Sequence, residues 1–138
     1  MNYSKAIVAG LVGTAVMTVL MMVAPMMGMP EMNIAADLGN FSGMGTTAGW
    51  VMHFVIGTVL AVVYVAVFNG RLPGGPPVSG AVFGLLVFLL AQVAVMPMMG
   101  GAVFSGGDIP MIMGSLLGHL VYGGVVGGMV GAPAAAEA

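Results

Sequence analysis

The chain has 138 residues, of which 60% are hydrophobic and 4% are charged, and its net charge is −2. A soluble domain carries about 25% charged residues, so lipid rather than water is the solvent that suits most of this surface. Two basic residues exclude a nucleic-acid-binding surface. The absence of cysteine excludes disulfides, cysteine-ligated metal sites and thiol catalysis.

Four apolar segments, each long enough to cross the hydrocarbon core of a bilayer, follow one another along the chain. They are residues 6–27, 48–68, 78–99 and 110–130. The first runs on past Lys5 without a cleavage site and is therefore interpreted as a retained helix. The sequence predicts an all-α fold, a four-transmembrane-helix bundle that forms one integral membrane domain over residues 1–138.

The connections between these segments are short and have their own signals. Residues 30–39 start with Pro30, carry an acid early and end at Gly39, which predicts a short helix at the membrane interface. Residues 69–77 are rich in glycine and proline and predict a turn. Residues 100–108 predict a flexible link, and residues 132–138 a frayed tail.

An internal repeat relates the two halves of the chain, about residues 6–68 and about residues 78–131. His53 precedes Gly57 by four residues inside an apolar run, and His119 precedes Gly123 in the same way. A shared motif ends the first and third segments: Pro25-Met26-Met27-Gly28 and Pro97-Met98-Met99-Gly100. Because each half is a hairpin that starts on the same side, the predicted bundle consists of two parallel hairpin repeats.

The two basic residues predict the orientation of the chain. Lys5 precedes the first segment and Arg71 lies between the second and third, so both lie on one face of the membrane. The positive-inside rule makes that face cytoplasmic and places both termini there. The acids Glu31, Asp37 and Asp108 then lie on the outer face.

The first segment with its Pro-Met-Met-Gly end, the Trp50-to-Gly57 motif and residues 118–123 resemble an uncharacterised bacterial family of small four-helix membrane proteins. The resemblance extends over roughly residues 5–131. It implies a four-helix fold in a bacterial inner membrane and assigns no activity.

The two histidines are the candidate site, because an ionisable group in a membrane segment suggests a function. They could be packed residues that hydrogen-bond across the bundle. Alternatively, His53 and His119 could be the axial ligands of a haem b, since bundles hold cofactors between facing helices. Gly57, Gly118 and Gly123 would then leave room for the macrocycle.

The 16 methionines suggest a second kind of site. Thioether and imidazole groups together suit Cu(I), and the candidate ligands are Met27, Met98, His53 and His119. Methionine also fills irregular gaps between helices, which needs no metal.

No serine–histidine–acid set and no lysine occurs within the membrane segments, so enzymatic activity is not expected. The chain has little surface outside the bilayer. We therefore expect a non-catalytic protein, an accessory or structural subunit of a larger membrane complex. Its expected partners are the lipid bilayer and either other membrane subunits or further copies of itself.

Overall fold

The computed structural model describes residues 2–133 as a set of helices. They are α1 (Tyr3–Met27), α2 (Ile34–Ser42), α3 (Gly45–Phe68), α4 (Pro76–Met98) and α5 (Ile109–Val130). Within the described range α1, α3, α4 and α5 are long and apolar enough to cross a membrane, and no strand occurs. The predicted all-α, four-helix architecture is confirmed. Most of the predicted tail lies outside the described residues.

Side-chain caps set the starts of α1 and α5, two of the long helices. Asn2 accepts a hydrogen bond from the backbone N–H of Lys5, so α1 begins at Tyr3 rather than at residue 6. Asp108 accepts from the N–H of Met111 and starts α5. Each cap satisfies an amide that the first helical turn leaves without a partner.

The predicted limits of the interfacial helix were wrong. The helix begins after Asn33, whose side chain accepts from the N–H of Ala36, and it ends at Gly43, where φ is 70°. Gly39, predicted as the end, lies inside α2, and the backbone of Gly45 in α3 occupies the place where its side chain would be. A glycine can therefore mark a close helix contact as well as a helix end.

The prolines change the pitch of the two helices that carry them. Pro25 starts a 3₁₀ turn, Ala24–Met27, at the end of α1. In α4 a π turn, Ala91–Val95, directly precedes Pro97. Both turns occur where a proline removes a helical hydrogen bond, as expected from its missing N–H.

The helices pack in a chain of neighbours rather than as a square. α1 packs along both α3 and α5, α4 packs along α5, and α2 packs on the start of α3. α3 meets α4 near its last turns, where Tyr64 donates a hydrogen bond to Ser79 over 3.0 Å. The end of the bundle that carries α2 is called the α2 end, and the other end the terminal end.

The two hairpins make similar contacts at equivalent positions. In the first, Gly10 and Thr14 of α1 lie against Gly57 of α3, and Thr18 lies against His53. The second repeats this pattern with Gly80, Gly84 and Phe88 of α4 against Gly123 and His119 of α5. The long contact between α1 and α5 has no equally long counterpart between α3 and α4. The parallel repeat itself stays a prediction.

The two ends of the described range, at Lys5 and at Pro133, lie with the α3–α4 turn at the terminal end. A Cβ atom added to Gly131 would lie 3.9 Å from the Lys5 Nζ, and one added to Gly70 would lie 2.7 Å from Pro133. The buried core is densest near this end, around Tyr64, Phe83 and Val126. The opposite half of the bundle contains the two histidines.

Candidate functional site

His53 is held against α1 by Thr18. Its Nε2 atom lies 3.1 Å from the Thr18 hydroxyl oxygen, and that hydroxyl also lies 2.8 Å from the carbonyl oxygen of Thr14. A carbonyl can only accept, so the single hydroxyl hydrogen goes to Thr14 and the imidazole Nε2–H donates to Thr18. The lone pair of His53 is then on Nδ1.

Glycines on both sides of His53 bring its helix close to its neighbours. The buried face of α3 repeats every four residues as Gly49, His53, Gly57 and Ala61. The carbonyl group of Ala35 in α2 occupies the place where a Gly49 side chain would be, and Thr14 of α1 does the same at Gly57. His53 is 8% exposed as a result, and the rings of Trp50 and Phe54 meet it edge-on at 6.2 and 5.8 Å.

His119 is oriented by its own helix. Its Nδ1 atom lies 2.7 Å from the carbonyl oxygen of Ser115, one turn earlier in α5. Nδ1–H is therefore the donor, and the lone pair is on Nε2. The ring meets Phe88 of α4 edge-on at 5.9 Å. The lone pair is thus on opposite ring nitrogens in the two histidines, Nδ1 in His53 and Nε2 in His119, although they occupy equivalent places in the sequence.

Gln92 ties three elements together beside His119. It is 3% exposed, its amide donates to the Ser115 hydroxyl over 3.1 Å, and its carbonyl oxygen accepts from the Ser105 hydroxyl over 3.3 Å. Neither serine was predicted from the sequence to belong to the candidate site. The signal for Ser115 was its position one helical turn before His119, whereas Ser105 lies in a loop and gave none.

The loop that follows α4 is strained where it meets Gln92. Phe104 and Ser105 have φ values of 46° and 49°, in the left-handed region that is unfavourable for residues other than glycine. Each such residue costs on the order of 1–3 kcal/mol. The contact of the Phe104 ring with Phe88 at 6.2 Å and the bond from Ser105 to Gln92 hold the loop in this conformation.

The glycines predicted to make room for a haem are occupied by helix contacts instead. Gly57 faces Thr14, Gly118 lies under Met17, and Gly123 meets the backbone of α4.

The methionines of the predicted copper site lie on the surface of the bundle. Met27 is 77% exposed and Met98 is 73% exposed, whereas His53 is buried. Among residues 2–133, no group of three or more histidine, aspartate or glutamate side chains is placed to hold a metal ion.

Comparison with known proteins identifies the family. The model of a family described as of unknown function, DUF6789, matches residues 1–137. The chain belongs to the DUF6789 family. No curated protein and no solved structure matches it. Membership in DUF6789 therefore assigns no activity, and a function has to be inferred from the geometry of the histidines, Gln92 and the glycines.

Proposed function

We propose that this DUF6789 protein is a non-catalytic integral membrane protein that acts as an accessory subunit of a larger membrane complex. The observation that carries the proposal is that the polar side chains inside the bundle bind one another. Thr18 pairs with His53 and Gln92 pairs with Ser115. In the described part of the chain, no buried side-chain nitrogen or oxygen lacks a partner.

A bundle closed in this way uses its polar groups to fix helix positions. Hydrogen bonds between membrane helices contribute about 0.6 kcal/mol each on average. Such bonds determine which helix faces meet, and they leave the outer faces apolar. Exposed apolar side chains lie on all four long helices. A small bundle with these properties suits a subunit that binds other membrane helices.

The surface that best suits a partner helix is a groove between α1 and α3. Its lining is almost entirely apolar and includes Leu11, Val51, Phe54, Val55 and Val59. The groove extends for about two turns of α3, which at 1.5 Å per residue is about 12 Å. Its occupant is a transmembrane helix of another subunit, or of a further copy of this chain.

We place the protein in a bacterial inner membrane with the terminal end in the cytoplasm. Lys5 and Arg71 lie at that end, and they are all the lysine and arginine in the chain. Reporter domains fused at Gly70 and at Gly107 test the orientation. The Gly70 fusion should be active as a cytoplasmic reporter and the Gly107 fusion as an exported one, and the reverse pattern would contradict it.

Photo-crosslinking in native membranes tests the subunit proposal. A photoreactive residue at Val55, 54% exposed in the groove, should give a discrete adduct with a membrane protein that mass spectrometry can identify. The matched control is Leu90, 57% exposed on α4. Lipid adducts alone at both positions would contradict the proposal.

One observation favours metal or haem binding as a second candidate function. The Nδ1–H of His119 is anchored by a backbone carbonyl, an arrangement that commonly orients a ligating imidazole. Its Nε2 lone pair could bind a haem iron or Cu(I). His53 matches less well, because its Nε2 atom already donates to Thr18.

An absorption spectrum and metal analysis of the protein purified from its native membrane separate the two candidates. A haem protein gives a Soret band that the variant His119→Ala loses. A Cu(I) site gives copper without a visible band, and His119→Ala lowers the copper content. A colourless protein without copper contradicts this second candidate and leaves the accessory subunit.

A further inference from the structure

A cleft of about 340 Å³ opens at the α2 end, between the last turns of α1, the segment before α2 and the start of α3. Its volume lies within the range of pockets for small molecules, about 300–1,000 Å³. Three methionines, Met21, Met22 and Met32, line it together with Trp50, and Glu31 is the charged residue of its lining. Trp50 also lines the neighbouring groove on the outer faces of α1 and α3, so the cleft and the groove adjoin at this residue.

The charge at this end of the molecule is negative. Glu31, Asp37 and Asp108 lie there, whereas Lys5 and Arg71 lie at the terminal end. Asp37 and Asp108 each lie at a helix N-terminus, where the helix dipole stabilises a carboxylate. Glu31 precedes α2, and the described residues give its carboxylate neither a hydrogen bond nor an ion pair. It is available as the counter-ion of a bound cation.

The other walls suit a cation with an apolar surface. An indole ring attracts an ammonium group to its face, and this attraction strengthens when water is excluded. Methionine side chains are polarizable and adapt to the shape of an alkyl group. A divalent metal ion would need several oxygen ligands, and an anion would be repelled by Glu31.

We propose that this cleft binds an organic cation, a quaternary or substituted ammonium group, with Glu31 as its counter-ion and Trp50 as its aromatic wall. The inference is independent of the proposed accessory role. Two sources offer this chemistry: a free ammonium compound, or the ammonium headgroup of a lipid, because the cleft lies at the end of membrane helices.

The test is a titration with choline, followed by the fluorescence of Trp50, the single tryptophan of the chain. The full chain is placed in nanodiscs of phosphatidylglycerol, whose headgroup carries no ammonium. Choline should change the fluorescence in a saturable way. Its uncharged carbon analogue, 3,3-dimethyl-1-butanol, should bind about ten-fold more weakly or worse, which corresponds to the loss of one favourable charge interaction.

Glu31→Gln should raise the dissociation constant of choline about ten-fold. The matched control Asp37→Asn changes another exposed acid of the same end, outside the cleft, and should leave the dissociation constant unchanged. Both positions are exposed, so neither variant threatens folding. Equal affinity for choline and its uncharged analogue, an unaltered affinity in Glu31→Gln, or no saturable signal would each overturn the proposal.

A second arm separates the two sources. The titration is repeated in nanodiscs that contain phosphatidylcholine. A lower apparent affinity for free choline in those discs, with the difference absent in Glu31→Gln, shows that a lipid headgroup occupies the cleft. An unchanged affinity shows that the site takes the free cation. Either result supports the cation site.

Discussion

The Tyr122 hydroxyl donates a hydrogen bond to the backbone carbonyl of Gly57, and this bond joins α5 to α3. Tyr122 is 3% exposed, and Gly57 is buried under Thr14. The bond links residues from opposite halves of the chain. Its acceptor, Gly57, matches Gly123 of the second half, and Gly123 directly follows the donor, Tyr122. The two hairpins are therefore connected by a polar contact as well as by the packing of α1 against α5.

Tyr122→Phe removes this bond and keeps the ring in place. We expect the free energy of unfolding to fall by about 0.5–1.5 kcal/mol, the net value of one hydrogen bond. Unfolding by a denaturing detergent from mild micelles measures the change. The control Val51→Ala alters a side chain on the outer surface, 60% exposed, and should have a smaller effect. Equal stability of Tyr122→Phe and the native chain would show that the bond contributes nothing.

Gly127 and Gly128 are neighbours in α5 that should respond differently to alanine. A Cβ atom on Gly127 would collide with the backbone carbonyl of Pro76 and lie 2.8 Å from the Gly80 Cα atom of α4, whereas one on Gly128 would lie 3.6 Å from its nearest neighbour, Pro77. Gly127→Ala must push α4 away, and overpacking of this kind costs about 1–3 kcal/mol. Gly128→Ala should be neutral or slightly stabilising, because alanine favours the helix.

The same detergent unfolding assay compares the two alanine variants directly. Because they share a helix, a substitution type and almost the same depth, their difference isolates the contact with the α4 backbone at Pro76 and Gly80. Indistinguishable unfolding curves would mean that α4 and α5 adjust to the added methyl group without loss.

The fold could be predicted from the sequence because long apolar segments in lipid can satisfy the hydrogen-bonding groups of their backbone only as helices or closed barrels. Limits set by apolar length were close to the structure, as in the segment predicted at 48–68 and observed as Gly45–Phe68. Limits set by caps were less accurate, because the Asn33 cap competes with Pro30 as the start of α2. The inward position of His53 was expected, because exposing an ionisable side chain to lipid costs free energy.

The partners of the candidate site could not be predicted in the same way. Thr18 binds His53 because two helices cross at that point, and no pattern within either helix encodes the crossing. Ser105 reaches Gln92 from a loop whose left-handed backbone has no sequence signal other than the glycines beside it. The glycines were recognised as small residues, but which helix each one faces depends on the packing order.

The bond between Thr18 and His53 can be measured with a double-mutant cycle. Thr18→Val, His53→Ala and the double variant are each unfolded in detergent. We expect a coupling free energy of about 0.6–1.7 kcal/mol, the range found for hydrogen bonds between membrane helices. The cycle cancels the loss of Thr18's other bond, to the Thr14 carbonyl. A coupling free energy near zero would show that the bond does not stabilise the packing of α1 against α3.

Gln92→Leu should release the loop between α4 and α5 while the bundle stays folded. Leucine keeps the apolar volume but cannot accept from Ser105 or donate to Ser115. The contact of Phe104 with Phe88 then holds the left-handed conformation of Phe104 and Ser105 alone, so the strain of about 1–3 kcal/mol per residue favours opening. Hydrogen–deuterium exchange should rise about ten-fold over Val103–Gly107. Exchange over Ile34–Ser42, which contains neither hydrogen-bond partner of Gln92, should be unchanged and serves as the internal control. Unchanged exchange in the loop would show that ring packing is sufficient to hold it, and an increase across the whole chain would show that Gln92 supports the bundle rather than the loop.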